Sequence, residues 1–131
     1  LAKLDGALLT GANFSGADLC GLDLSGFDLS GINMTKARMS DSVLAGADLT
    51  GAVLRDAVLA QADLKGAILH KADLSLAVMR DANLENADLK DADLTRTNLR
   101  NAYLKNAYLE GAKLTGTILD NAVLTGTVLV N

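Results

Sequence analysis

The sequence contains no proline, no tryptophan and one cysteine, and aromatic residues occupy only 3% of its positions. Because large aromatic side chains normally fill much of a globular core, an ordinary mixed core is disfavoured, and Leu and Ala must supply the core instead. One cysteine excludes an internal disulfide and any multi-cysteine metal site. No apolar run approaches the roughly 18 residues of a membrane span, so we expect no membrane-spanning segment.

The charge is mildly acidic, with 12 basic and 16 acidic residues among 131 and a formal net charge of −4. A nucleic-acid-binding protein would carry a basic patch, so we expect no nucleic-acid partner. No signal-peptide pattern opens the sequence, which makes the cytoplasm the default compartment. The first residue is Leu rather than Met, which is compatible with a processed or excised part of a longer chain.

A five-residue period runs through the whole sequence. Every fifth residue from Leu4 to Leu129, the centre position, is Leu in 22 of 26 repeats and Phe or Met in the others. Two residues before the centre lies the small position, which is Ala in 19 repeats. The outward position, directly before the centre, is Asp in eight repeats and Asn in four. The first and second turn positions follow the centre, and all 12 glycines fall at the second.

This period excludes both an α-helix and a long, straight β-strand. In an α-helix, five residues advance the chain by about 500°, so the leucines would spiral around the helix without forming a stripe. In a long strand, successive leucines would point to opposite faces because five is odd. Both conflicts vanish if the chain turns a corner in every repeat, with the small and centre residues pointing inward. The period therefore predicts a solenoid.

The motif resembles that of the pentapeptide-repeat family, A(D/N)LXX. Stretches such as Ala17-Asp18-Leu19, Ala62-Asp63-Leu64 and Ala87-Asp88-Leu89 fit it as written, and the resemblance covers residues 1–131. It implies an all-β fold, a right-handed quadrilateral β-helix with 20 residues per coil and about 6.5 coils, which we expect to form a single domain. Residues twenty apart would then stack, and Lys65, Glu85 and Lys105 would alternate in sign along one column.

Few residues point to chemistry, and we predict no catalytic, cofactor-binding or metal site. His70, the only histidine, is expected at a solvated corner between Thr50 and Lys90, and the repeat suggests no carboxylate beside it. Cys20 is expected to be a free surface thiol without a neighbouring base. The regular Asp positions favour hydrogen bonding at turns over a metal or anionic site. The protein is accordingly expected not to be an enzyme.

Three consecutive small positions hold the bulky residues Leu22, Phe27 and Ile32, which predicts a locally wider or differently packed coil rather than a ligand cavity. Ser and Thr at four other small positions need backbone partners for their hydroxyls. Near the C-terminus the outward position becomes apolar, which predicts an interaction surface. That surface comprises Tyr103, Tyr108, Ile118, Val123 and Val128. Through it, the C-terminal coil is expected to pack end to end against another copy or against further sequence.

Two functions follow from these observations. The first is a structural or protein-protein interaction module, a scaffold whose partner is an unidentified protein. The alternative comes from the family resemblance: some members resemble a DNA duplex in size and charge, and bind DNA gyrase, inhibiting it or protecting it from quinolones. DNA mimicry needs a strongly negative rod, whereas this chain carries only −4 and no repeat is interrupted by a loop. The interaction module is therefore preferred.

Overall fold

The computed structural model describes residue 9 and residues 11–129. This part of the chain contains no helix, and its β-structure consists of single-residue parallel bridges at the outward positions. The first bridge joins Asn13 to Asn33 and the last joins Tyr108 to Val128, and every bridge connects residues twenty positions apart. Four pentapeptides therefore separate each residue from the one stacked on it, and the predicted repeat β-solenoid is confirmed.

Each corner of the solenoid is a hydrogen-bonded turn. The amide of the small residue donates to the carbonyl of the preceding centre residue, as from Ala62 N to Leu59 O at 3.1 Å. Every described second turn position has a positive φ, between 56° at Asp91 and 74° at Gly11. A positive φ at the third residue is what a type II turn requires, which explains the single register of the glycines. Thirteen of the described second turn positions nevertheless hold another residue.

Neighbouring coils are joined by backbone hydrogen bonds in both directions. The amide of the centre residue Leu64 donates to Asn83 O at 2.7 Å, and the amide of the outward residue Asp63 donates to Ser42 O at 2.9 Å. The amide of the second turn position also donates to the following coil. In no described repeat does the amide of the first turn position have a backbone acceptor. A side chain or water has to satisfy that amide.

The interior is a column of leucines and alanines, most of them completely buried from Ala37 to Ala107. Ile32 belongs to this core, and Leu22 and Phe27 pack against it partly buried, so the bulky small positions line the interior. The hydroxyls at the small positions have the backbone partners that their burial demands. Thr97 Oγ1, for example, donates to Leu74 O at 2.8 Å. The other three residues of this kind, Ser42, Thr117 and Thr127, also donate to backbone carbonyls.

Side chains stack in columns along the outside. Lys65 Nζ lies 3.5 Å from Glu85 Oε2, as the twenty-residue stacking predicts. Arg100 Nε lies 3.0 Å from Asp120 Oδ2 in another column. Exposed ion pairs of this kind contribute little to stability. The Leu and Ala interior is therefore the main source of folding stability. The described part of the chain contains no helix with the length and apolar character that a membrane span requires.

Candidate interaction surfaces

The outward Asp and Asn residues satisfy twelve of the amides that the backbone leaves open. In all twelve cases Oδ1 accepts the amide hydrogen of the first turn residue two positions ahead. Several also accept the hydroxyl of that residue, as Asp28 Oδ1 does from Ser30 Oγ at 2.6 Å. The Ser30 hydroxyl, and then its amide, hold the pKa of Asp28 below its ordinary value. The predicted turn hydrogen bonding is confirmed.

Cys20 is exposed and free, as predicted. Its amide donates to Asp18 Oδ1 at 3.2 Å, and the thiol lies beside the same carboxylate. The hydrogen bond to Asp18, followed by some loss of hydration, raises the pKa of the Cys20 thiol above its ordinary value. Because the thiolate is the nucleophilic form of cysteine, this environment lowers its reactivity at neutral pH.

His70 has a neighbour that the repeat pattern did not reveal. Its Nε2 lies 3.7 Å from Asp91 Oδ2, too far for a hydrogen bond. That nitrogen is shielded from solvent and has no hydrogen-bond partner, although the side chain as a whole is 35% exposed. The expectation of no neighbouring carboxylate was therefore wrong. Asp91 occupies a second turn position twenty-one residues ahead, a diagonal contact that column stacking misses.

Nothing further gathers around this pair to form a metal centre. Over residue 9 and residues 11–129, no group of three or more His, Cys, Asp or Glu side chains is placed to hold a metal ion.

The predicted C-terminal surface contains the most exposed aromatic side chains. Tyr103 is 56% exposed and Tyr108 is 53% exposed. Tyr103 stacks on Val123 in one column and Tyr108 on Val128 in the next, while Ile118 follows Asn98 in a third. The structure therefore distributes these five residues over three sides of the solenoid and does not gather them on one flat face. They form a band around its C-terminal coils.

Two further residues expose apolar surface at this end. Leu124 and Leu129 occupy centre positions, which the repeat pattern assigns to the core, yet they are 39% and 56% exposed. Among the described residues, only the preceding coil is bonded to theirs, as where Leu104 N donates to Val123 O at 2.8 Å. The amides of Leu119 and Leu124 likewise have no backbone acceptor among the described residues. This end thus combines apolar side chains with open hydrogen-bonding groups.

A groove of about 500 Å³ lies beside Tyr103, one coil from the described end. Its lining consists of Asp81, Asn83, Glu85, Tyr103, Lys105 and Val123. The tyrosine ring and the valine provide apolar surface, and ionised side chains of both signs flank them. Such a mixture of an aromatic anchor and a polar rim is typical of protein-protein contacts.

The repeating corner turns, the coil-to-coil ladder and the Leu interior define a parallel β-solenoid built from five-residue units. The family model for pentapeptide repeats matches in eight copies, over residues 2–35, 42–81, 77–116 and 102–131. The chain therefore belongs to the pentapeptide-repeat family, and the resemblance read from the motif is confirmed.

Solved structures of pentapeptide-repeat proteins are similar to this chain. Trypsin-treated QnrB1, a plasmid-mediated fluoroquinolone resistance protein, is 22% identical with a TM-score of 0.67, covering 96% of this chain and 69% of its own. HetL, involved in heterocyst differentiation regulation in the cyanobacterium Nostoc sp. strain PCC 7120, is 30% identical. That match covers 89% of this chain and 76% of HetL, with a TM-score of 0.31. A search of the curated proteins found no match.

Proposed function

We propose that this protein is a non-enzymatic interaction module, in which the solenoid holds exposed side chains on a rigid ladder for a partner protein. The observation that carries the proposal is the pair Tyr103 and Tyr108, both more than half exposed on adjacent columns. Tyrosine supplies a large contact area at a low entropic cost and is enriched at interface hot spots. The apolar residues Ile118, Val123 and Val128 continue the same band.

The experiment is an affinity pull-down from native lysate with the full chain, followed by direct binding of the purified partner. The test variant carries Tyr103→Ser and Tyr108→Ser, and the control carries Val53→Ser and Val58→Ser, also outward residues on adjacent columns. We expect the tyrosine variant to lose the partner and the valine control to retain it. Equal retention by both variants would show that the band is not the contact.

We also propose that the C-terminal coil packs end to end against a second copy. Support comes from the exposed Leu124 and Leu129 and from the open amides beside them. An isologous contact would bury the same apolar patch on both copies. Sedimentation of the protein should show a dimer at high concentration, which Leu124→Asp should dissociate while circular dichroism stays unchanged. A monomer at high concentration contradicts this arrangement.

A second candidate function is DNA mimicry directed at DNA gyrase. The similarity in fold to QnrB1 over 96% of this chain supports considering it. Residues 4–35 contain four Asp and no basic residue, so one end is more acidic than the rest. Arg38 reduces that charge, because its Nη1 lies 3.0 Å from Asp18 Oδ2. Protection of gyrase supercoiling from a quinolone by the purified chain would establish this function, and no effect at high molar excess would eliminate it.

The proposed module is one domain over residues 1–131, a right-handed quadrilateral β-helix of about 6.5 coils. The twenty-residue bridge register supports four sides per coil, and parallel β-connections are right-handed in nearly all proteins. A crystal structure phased experimentally tests the hand, and a single cooperative unfolding transition tests the unity of the domain.

A further inference from the structure

A second groove, of about 250 Å³, runs along another corner of the solenoid. Four of its residues are first turn residues twenty apart and two are second turn residues, namely Arg55, Ser75, Thr95 and Thr115 with Leu76 and Arg96. The backbone fixes their spacing, since Leu76 N donates to Thr95 O at 3.0 Å and Arg96 N donates to Thr115 O at 2.9 Å. The groove spans three coil spacings, about 14 Å. We call it the Arg55–Arg96 groove.

Leu76 lies in the middle of this groove in a left-handed conformation, with φ of 62°. At every other described position with a positive φ, the residue is Gly or carries a polar side chain. Leu cannot form the local hydrogen bonds that help Asn and Asp tolerate this region. The turn at Leu76 is therefore strained, and such strain concentrates at functional sites. Its partly buried side chain gives the groove an apolar floor.

Both ionised residues that line the groove are arginines. Arg55 Nε lies 3.9 Å from Asp56 Oδ2, a long contact, and Arg96 forms no ion pair with any described residue. The hydroxyl of Ser75 donates to Asp73 Oδ1 at 2.5 Å, so it is already committed. The two guanidinium groups are the charged donors available to a ligand, and guanidinium binds carboxylate through paired hydrogen bonds.

We propose that the Arg55–Arg96 groove binds an acidic segment of a partner protein, with a carboxylate between the two guanidinium groups and an apolar side chain on Leu76. Charge complementarity selects this occupant. A nucleic-acid backbone is disfavoured, because two guanidinium groups would leave most of its closely spaced phosphates unpaired. The groove lies on a different part of the coil from Tyr103 and Tyr108, so it is a separate site.

Fluorescence anisotropy with the full chain tests this proposal. The probe is a short labelled peptide in which Glu flanks a single Leu, and the matched probe has Lys in place of Glu. We expect the Glu peptide to bind and the Lys peptide not to bind. Added salt should weaken binding of the Glu peptide. No binding of the Glu peptide, equal binding of the Lys peptide, or tighter binding of a single-stranded oligonucleotide would each overturn the proposal.

Matched variants locate the binding. Arg96→Asn and Arg55→Ala should each weaken binding of the Glu peptide by about tenfold or more. Lys71→Asn and Arg80→Ala are the controls, because they remove a cation from the same two repeat positions at other corners. Asn tolerates the left-handed conformation that Arg96 and Lys71 share. The controls should stay within about twofold of the unmodified chain. Unchanged affinity in Arg96→Asn places the peptide elsewhere.

Leu76→Asn separates binding from stability. This variant relieves the turn and removes the apolar floor. We expect the urea midpoint to stay the same or rise, while affinity for the Glu peptide falls about fivefold. A fall in the midpoint together with unchanged affinity would show that Leu76 only packs against its neighbours.

Discussion

Ser30 donates both its amide, at 3.0 Å, and its hydroxyl, at 2.6 Å, to the same oxygen of Asp28. The amide is one that no backbone acceptor in the solenoid reaches. The repeat thus assigns the carboxylate a structural task at the corner, which explains why eight aspartates recur at the outward position.

The Asp28 carboxylate should make the stability of the protein decrease at acidic pH. The pKa of Asp28 is lowered from its ordinary value of 3.8 by the Ser30 hydroxyl and amide. A lowered folded-state pKa contributes stability that is present above the unfolded-state pKa and lost as the pH falls through the folded-state value. We expect the free energy of unfolding, measured in urea, to fall below about pH 4.

Asp28→Asn should reduce that loss while leaving stability near pH 7 almost unchanged. Asn cannot titrate, and Asn33 already accepts the same kind of amide bond, from Thr35 N at 3.0 Å. Asp28→Ala is the control, because it removes the acceptor and should destabilise the protein at both pH values. An identical pH dependence in Asp28→Asn and the unmodified chain would assign the acid sensitivity to other carboxylates.

The loss of stability caused by replacing a centre leucine with Ala should depend on where that leucine lies along the solenoid. Leu64 is completely buried, so Leu64→Ala should lower the free energy of unfolding by about 2–5 kcal/mol. Leu129 is 56% exposed, and Leu129→Ala should change the free energy of unfolding by no more than about 0.5 kcal/mol. Urea unfolding followed by circular dichroism measures both. Equal effects would mean that Leu129 is buried in solution.

At the second turn positions, the stability cost of a substitution should depend on how well the new residue tolerates a positive φ. Gly51 has φ of 64°, and an added Cβ would meet nothing within 4 Å. Gly51→Ala should therefore cost about 1–2 kcal/mol through backbone conformation alone. Gly51→Asn should cost less, since Asn106 adopts the same conformation with φ of 58°. Thermal unfolding of the two variants gives the ranking, and a larger cost for Asn would contradict a conformational origin.

Asp18 should control the reactivity of Cys20. Because Asp18 raises the pKa of the Cys20 thiol, Asp18→Ala should lower that pKa and increase the thiolate fraction near pH 8. The rate of reaction with a disulfide reagent should rise about two- to tenfold. Asp28→Ala, two repeats further along, is the control and should leave the rate unchanged. The same rate in both variants would remove Asp18 as the cause.

The strict period made most of the fold predictable. Each pentapeptide repeats the same burial pattern, so the Leu and Ala interior, the corner turns and the twenty-residue stacking of Lys65 on Glu85 all follow from the sequence and the family resemblance. The outward Asp and Asn residues were assigned correctly to turn hydrogen bonds, because their side chains reach an amide only two residues away.

The surfaces were less predictable because they depend on diagonal neighbours. Stacking by twenty does not connect His70 with Asp91, or Leu76 with Arg55. The period also marks Leu124 and Leu129 as core residues, yet both are exposed among the residues that the structure describes. A repeat determines the surroundings of an inward residue, whereas an outward residue is surrounded by whichever side chains the adjacent coils supply.

Because stacked residues are twenty positions apart, inserting one pentapeptide and inserting a whole coil have different structural effects. One extra pentapeptide would preserve every corner turn, yet it would move all later side chains to the next side of the solenoid. Tyr103 would then leave the column of Asn83, and each composite surface that spans the insertion would be reassembled from new neighbours. Only a whole added coil lengthens the rod and keeps its columns in line. Surface identity in this protein is therefore a property of repeat number as well as of residue type.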